Sequence, residues 1–166
     1  MDQNHIDYII DAHRNHPREP KKAFRKWDRE TPYDTHPIWC ATTIATETQL
    51  DKTTREEGVV ALLYHDVPED TTKGITHLSP RLQELVNHMT FAGGSSQEMQ
   101  EIWSKPTEIR LYKLYDKVSN LLDGSWMDEK KRTQYQIYTQ TLCEDVVRHY
   151  GQLNITLMAK TLGMKK

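Results

Sequence analysis

The chain has 166 residues, 36% of them apolar and 28% charged, with 22 Lys and Arg against 24 Asp and Glu for a formal charge of −2. That length fits one domain with a single core, and the near-zero charge excludes a general nucleic-acid coat, which needs a strong basic excess. A mean hydropathy of −0.80 and a longest apolar run of only Val59–Tyr64 exclude a bilayer-spanning segment of ~20 residues. Two cysteines, Cys40 and Cys143, make no disulfide scaffold or CxxC metal pair. No basic-then-apolar leader is visible, so a cytoplasmic protein is expected.

Helical periodicity runs nearly throughout, and nothing alternates at period two. Ile6, Ile9, Ile10 and His13 share one face before Pro17 ends the first helix. Residues 17–35 read as a surface loop with a helical turn around Lys22–Lys26. Pro37 suits the start of the next helix, with Asp34 or Thr35 as its cap. Arg55–Asp66 forms a third helix, and Ser79-Pro80 opens a fourth with Leu82, Leu85, Val86 and Met89 inward. Gly93-Gly94 breaks the chain ahead of a short segment ending at Pro106. Thr107–Asp123, 128–149 and 151–162 complete the reading. The expectation is an all-α bundle of about eight helices in one domain, 1–166.

The string Tyr64-His65-Asp66-Val67-Pro68-Glu69-Asp70 places one imidazole and three carboxylates in six residues behind an apolar helix. Such a cluster is costly to bury unless it binds something; the alternative is a capped helix end whose acids face water. Glu69 and Asp70 follow His65 and Asp66 by four, one side of a helix if the helix continues. His36 opens a helix, and Asp116 and Asn120 lie at i and i+4 on another, one turn after Lys113. Two imidazoles and two carboxylates suit a divalent ion of Mn²⁺ character, with Zn²⁺ or Fe²⁺ less favoured, and an ion that keeps positions open serves hydrolysis.

The order His36 … His65-Asp66 … Asp116 resembles the HD phosphohydrolase superfamily. More narrowly, Tyr33–Ile38, Ala61–Thr71 and Lys113–Leu121 resemble the hydrolase domain of RelA/SpoT proteins, above all the small stand-alone alarmone hydrolases of the metazoan SpoT homologue type. The resemblance implies an HD-domain helical bundle and a manganese-dependent enzyme that removes pyrophosphate from the 3′ position of (p)ppGpp, a small guanosine nucleotide. It implies Mn²⁺ ligation by His36, His65, Asp66 and Asp116, and a water oriented or activated by Glu69 and Asp70. Arg25-Lys26, eleven residues before His36, matches a pair that packs on the guanine base. Asn120, Lys113 and Lys117 are implied at ribose and phosphate, and Lys131 and Tyr135 match a family Arg and Tyr that reach the substrate. Pro68, Lys131 and the segment Phe91–Pro106 depart from the family pattern. Two other readings stand beside this one: a phosphatase of NADPH or another nucleotide, and a nucleotide-binding regulator without turnover. The remaining histidines, His13 among them, read as surface or satisfied core residues.

Overall fold

A computed structural model describes residues 2–163. The described residues form α1 (Gln3–Asn15), α2 (Thr35–Ala45), α3 (Lys52–Tyr64), α4 (Val67–Asp70), α5 (Pro80–Met89), α6 (Gly94–Glu101), α7 (Thr107–Leu122), α8 (Glu129–Tyr150) and α9 (Asn154–Gly163). Extended pairing among them is limited to two isolated bridges, Pro17 with Thr71 and Phe24 with Pro32. The all-α expectation holds, and no described helix is long and apolar enough to cross a membrane.

α7 is the central element: it packs against α2, α3, α5, α8 and α9, and eleven of its sixteen residues are buried. Its apolar positions Ile109, Leu111, Tyr112, Leu114, Tyr115 and Val118 join Ala41, Ile44, Leu62, Leu63, Leu85, Leu142 and Ile155 in one core. α2 and α3 pack closely because α3 carries Gly58 at the contact. A Cβ there would lie 2.5 Å from Ile44 Cδ1 and 2.6 Å from Tyr112 Cε1. Both neighbours are fully buried and cannot yield cheaply. Overpacking of ~1–3 kcal/mol therefore outweighs the helix propensity of ~1 kcal/mol that alanine brings. Gly58→Ala is expected to lower the melting temperature by several degrees in a thermal scan; an unchanged or higher value would contradict this packing.

Four local expectations are corrected. α3 starts at Lys52 because the Asp51 carboxylate caps the Thr54 amide at 2.9 Å, earlier than Arg55. α3 also stops at Tyr64, so Asp66 belongs to the turn leading into α4. The turn in the first loop is a 3-10 turn over Pro20–Ala23 rather than Lys22–Lys26. Asp34 stands at the N-cap of α2 without capping it, because its buried carboxylate accepts from Arg14 Nε and Nη2 of α1 at 2.9 and 3.0 Å. That ion pair fixes the entry of α2, and with it His36.

Candidate metal centre

Three separate segments converge on one cleft: the first turn of α2, the α3–α4 corner and the middle of α7. His36 Nε2 lies 3.4 Å from Asp116 Oδ1 and 3.5 Å from Asp66 Oδ2. His65 Nε2 lies 3.1 Å from Asp66 Oδ2 and 3.9 Å from Asp116 Oδ1. His36, His65 and Asp116 each bring a ligand atom within 4.8 Å of the other two, and Asp66 joins through its short distances to both rings. Neither buried Nε2 has a hydrogen-bond partner.

The other edge of each ring is occupied. His65 Nδ1 lies 2.7 Å from the Leu62 carbonyl, which only accepts, so Nδ1 carries a proton, and Nε2 presents its lone pair once the ring is neutral. His36 Nδ1 meets the Ser119 hydroxyl at 2.8 Å. Two orphaned imidazole nitrogens, that of His65 with its tautomer fixed by the Leu62 carbonyl, fit a divalent cation of borderline hardness beside two carboxylates.

Charge reinforces the arrangement. Burial works against the His65 imidazolium, but Asp66 and then Asp116 outweigh it and raise the pKa to about 9. Burial likewise pushes the Asp66 carboxyl up, and His65 and His36 pull it well below the usual carboxylate range. Burial leaves His36 lowered and hence neutral near pH 7.

Tyr33 donates to Asp66 Oδ2 at 2.8 Å. On α7, Asn120 donates to Asp116 Oδ1 at 2.6 Å, and Lys113 and Lys117 each lie 3.1 Å from Asp116 Oδ2. The same two ammonium groups meet Glu98 Oε2 of α6 at 3.2 and 2.9 Å, while Tyr138 donates to Glu98 Oε1. Two lysines and two carboxylates thus form one buried, matched group, which aims Asp116 Oδ1 at the imidazoles.

The helix does not continue through residues 65 and 66, yet Glu69 and Asp70 reach the cleft. Pro68 sits inside the single turn α4, closed by the Asp70 amide donating to the Asp66 carbonyl at 2.8 Å. Glu69 Oε1 accepts from the Phe91 amide at 2.8 Å. Lys22 clamps the turn, meeting Asp70 Oδ1 at 2.7 Å and the Glu69 carbonyl at 3.1 Å. Burial, then the Asp66 charge, raises both acids; Lys22 opposes this at Asp70.

Of the residues named from sequence, Lys26, Asp66, Glu69, Asp70, Lys113, Asp116, Lys117, Asn120, Lys131 and Tyr135 line one cleft of about 220 Å³. His36 and His65 lie beneath it, within reach of its two metal-site carboxylates. Arg25 is placed differently: it is 4% exposed, donates Nε and Nη2 to Asp123 at 3.0 and 2.8 Å, and stands over the Tyr33 ring. Little of its guanidinium is left open to a base. Sequence reasoning missed Glu98, Lys22, Tyr33 and Ser119. Glu98 was signalled by two lysines on a buried helix, which require a carboxylate from elsewhere, and Tyr33 and Ser119 lay inside the motif strings without being singled out.

His13, read as a surface or satisfied residue, is fully buried against Tyr33, and neither of its ring nitrogens has a partner. Burial, ahead of the mixed charges around it, lowers its pKa to about 4. The unfolded chain therefore takes up a proton near pH 6.5 that the folded one refuses, so stability present above pH 6.5 is lost as pH falls towards 4. The shift corresponds to about 3 kcal/mol. His13→Leu should flatten this limb in urea melts taken from pH 7 to 4. A limb as steep as that of the unsubstituted protein would refute the assignment.

No protein-family model matches the chain, and no curated protein matches it. Among solved structures it is similar to one described as a metazoan ortholog of SpoT that hydrolyses ppGpp and plays a role in starvation responses. The TM-score is 0.74 at 23% identity, covering 96% of this chain and 92% of that one. The chain therefore shares the fold of that structure, and the all-α helical bundle expected from its sequence is the one observed.

Proposed function

We propose that this chain is a metal-dependent hydrolase that removes pyrophosphate from the 3′ position of a guanosine alarmone such as ppGpp. The observation that carries the reading is the pair of buried, unpartnered imidazole nitrogens converging with Asp66 and Asp116, in a fold shared with a ppGpp hydrolase. His36, His65, Asp66 and Asp116 would hold the cation, with Mn²⁺ best suited to two nitrogen and two oxygen donors. When bound, such an ion supplies Lewis acidity to water and to a phosphoryl oxygen.

The remaining chemistry belongs to side chains. Glu69 and Asp70 face the same cleft with raised affinities for a proton. They orient the attacking water and take up its proton, and a proton passes to O3′ as the phosphorus–O3′ bond breaks. The nucleoside leaves with a free 3′-hydroxyl, and the water oxygen stays on the released pyrophosphate. The Phe91 amide and Lys22 keep the two carboxylates from turning away. Lys113 and Lys117 offset negative charge beside Asp116, and Asn120 is placed for a ribose or phosphate contact.

The test is pyrophosphate release from ppGpp by purified protein with Mn²⁺ and after chelation. Metal-dependent release supports the reading. No release with the metal demonstrably bound sinks it, and phosphate release from NADPH under the same conditions would reassign the substrate.

A further inference from the structure

α4 is a single turn of four residues, yet it carries both acids of the cleft. An isolated helix is marginal in water below ~12–15 residues, so the turn depends on what surrounds it. Two bonds close it: the Asp70 amide donates to the Asp66 carbonyl at 2.8 Å and the Thr71 amide to the Val67 carbonyl at 3.1 Å. The carbonyls of Pro68, Glu69 and Asp70 take no amide from α4 itself, as at any helix C-terminus. All three are taken by one segment, the loop that follows α1. Arg18 Nη2 donates to the Pro68 carbonyl at 3.1 Å, and Lys22 Nζ to the Glu69 carbonyl at 3.1 Å. The Arg18 amide donates to the Asp70 carbonyl at 2.8 Å. One residue on, the Thr72 amide donates to the His16 carbonyl at 2.8 Å, and an isolated bridge pairs Pro17 with Thr71.

That segment is itself stiff. Pro17 and Pro20 each fix φ, and the Lys22 amide closes the 3-10 turn by donating to the Glu19 carbonyl at 2.8 Å. Lys22 then reaches beyond the backbone, because its Nζ also lies 2.7 Å from Asp70 Oδ1. One ammonium group therefore joins the Asp70 carboxylate to the carbonyl before it and fixes the side chain relative to the turn. Lys21 does nothing of the kind: it pairs with Glu19 at 2.8 Å and is 79% exposed.

We infer that Lys22 is a positioning residue for the hydrolysis, acting through Asp70, and that the segment His16–Ala23 is the strap that makes the α4 turn rigid. The inference rests on the functional reading above for the reaction itself. Lys22 touches no reacting atom; it holds Asp70 where the attacking water is oriented.

Kinetics test the positioning role. Lys22→Met should lower kcat ~10–100-fold, the scale of a misplaced catalytic group, with KM and calorimetric Mn²⁺ affinity nearly unchanged. Lys22→Arg should recover most of the loss, since a guanidinium also donates to a carboxylate and a carbonyl. Lys21→Met removes the same charge one residue away and should leave kcat at the parent value. Groups that act as a unit are not additive, so in an Asp70→Asn background Lys22→Met should cost little more in single-turnover hydrolysis. A parent kcat in Lys22→Met, a loss confined to KM, or additive losses in the double variant would each overturn the role.

Hydrogen exchange reads the strap without turnover. In Lys22→Met the Asp70, Thr71 and Thr72 amides should exchange about tenfold faster, the scale of one lost charge-assisted hydrogen bond, while the α7 amides keep parent rates. Unchanged exchange at all three amides overturns the strap, and equal acceleration throughout α7 overturns its local action. Should the metal-loaded parent hydrolyse no nucleotide, the functional reading fails and the positioning role falls with it; exchange alone then decides the strap.

Discussion

Asp66→Asn is expected to remove metal affinity and turnover together. Asparagine keeps the shape and still accepts from Tyr33, which donates to Asp66 Oδ2 at 2.8 Å, so folding should survive. What is lost is a full charge between two imidazoles whose Nε2 atoms stand 3.1 and 3.5 Å away. Loss of a partner outside the ligand set typically costs ~10–100-fold in affinity, and loss of a ligand itself should exceed that.

The substitution also changes the pH dependence. Metal and proton compete for His65 Nε2, whose pKa is raised to about 9 despite burial by Asp66 and Asp116. Below that pH a proton must leave before metal binds, so affinity should fall about tenfold per pH unit. With Asn at 66 the imidazolium loses its nearest carboxylate, and the onset of that slope should move to lower pH. Calorimetric titration with Mn²⁺ from pH 6 to 9.5 reads both effects; affinity within tenfold of the parent, with an unmoved slope, would remove Asp66 from the metal site.

Glu69→Gln should separate catalysis from binding. Glu69 is partly buried, raised by burial and the Asp66 charge, and aimed by the Phe91 amide. Glutamine keeps the oxygen that accepts from that amide but cannot take a proton from water. Removal of a positioned general base costs ~10²–10⁴-fold in rate, while metal and nucleotide affinity should change little. Single-turnover hydrolysis beside equilibrium nucleotide binding makes the distinction. Rates unchanged by the substitution would exclude Glu69 as the base, and a parent protein that binds nucleotide without hydrolysing it would favour a regulator.

Much of the cleft was legible in the chain. His65-Asp66 and Glu69-Asp70 lie within six residues, so a local spacing argument brings them together even though the helix breaks at residues 65 and 66. The break matters little because the Asp70 amide closes onto the Asp66 carbonyl, preserving the turn that the i+4 spacing assumed. Asp116 and Asn120 likewise needed only one helix, and their 2.6 Å contact follows from it. Arg25 shows the opposite case: its motif spacing pointed to a ligand, while the fold holds it on Asp123, 98 residues away.

Helical periodicity and the short-range grouping of imidazoles and carboxylates were determined by the sequence itself, because covalent spacing on a helix turns residue number directly into direction. Only the tertiary structure decided which charges are matched. Glu98 takes Lys113 and Lys117, Ser119 holds His36, Lys22 clamps Asp70, and Lys26 and Lys131 are left without a carboxylate among the described residues. A buried or crowded charge takes whatever partner the packing of other helices brings within about 4 Å, and that distance is set by the core rather than by position along the chain.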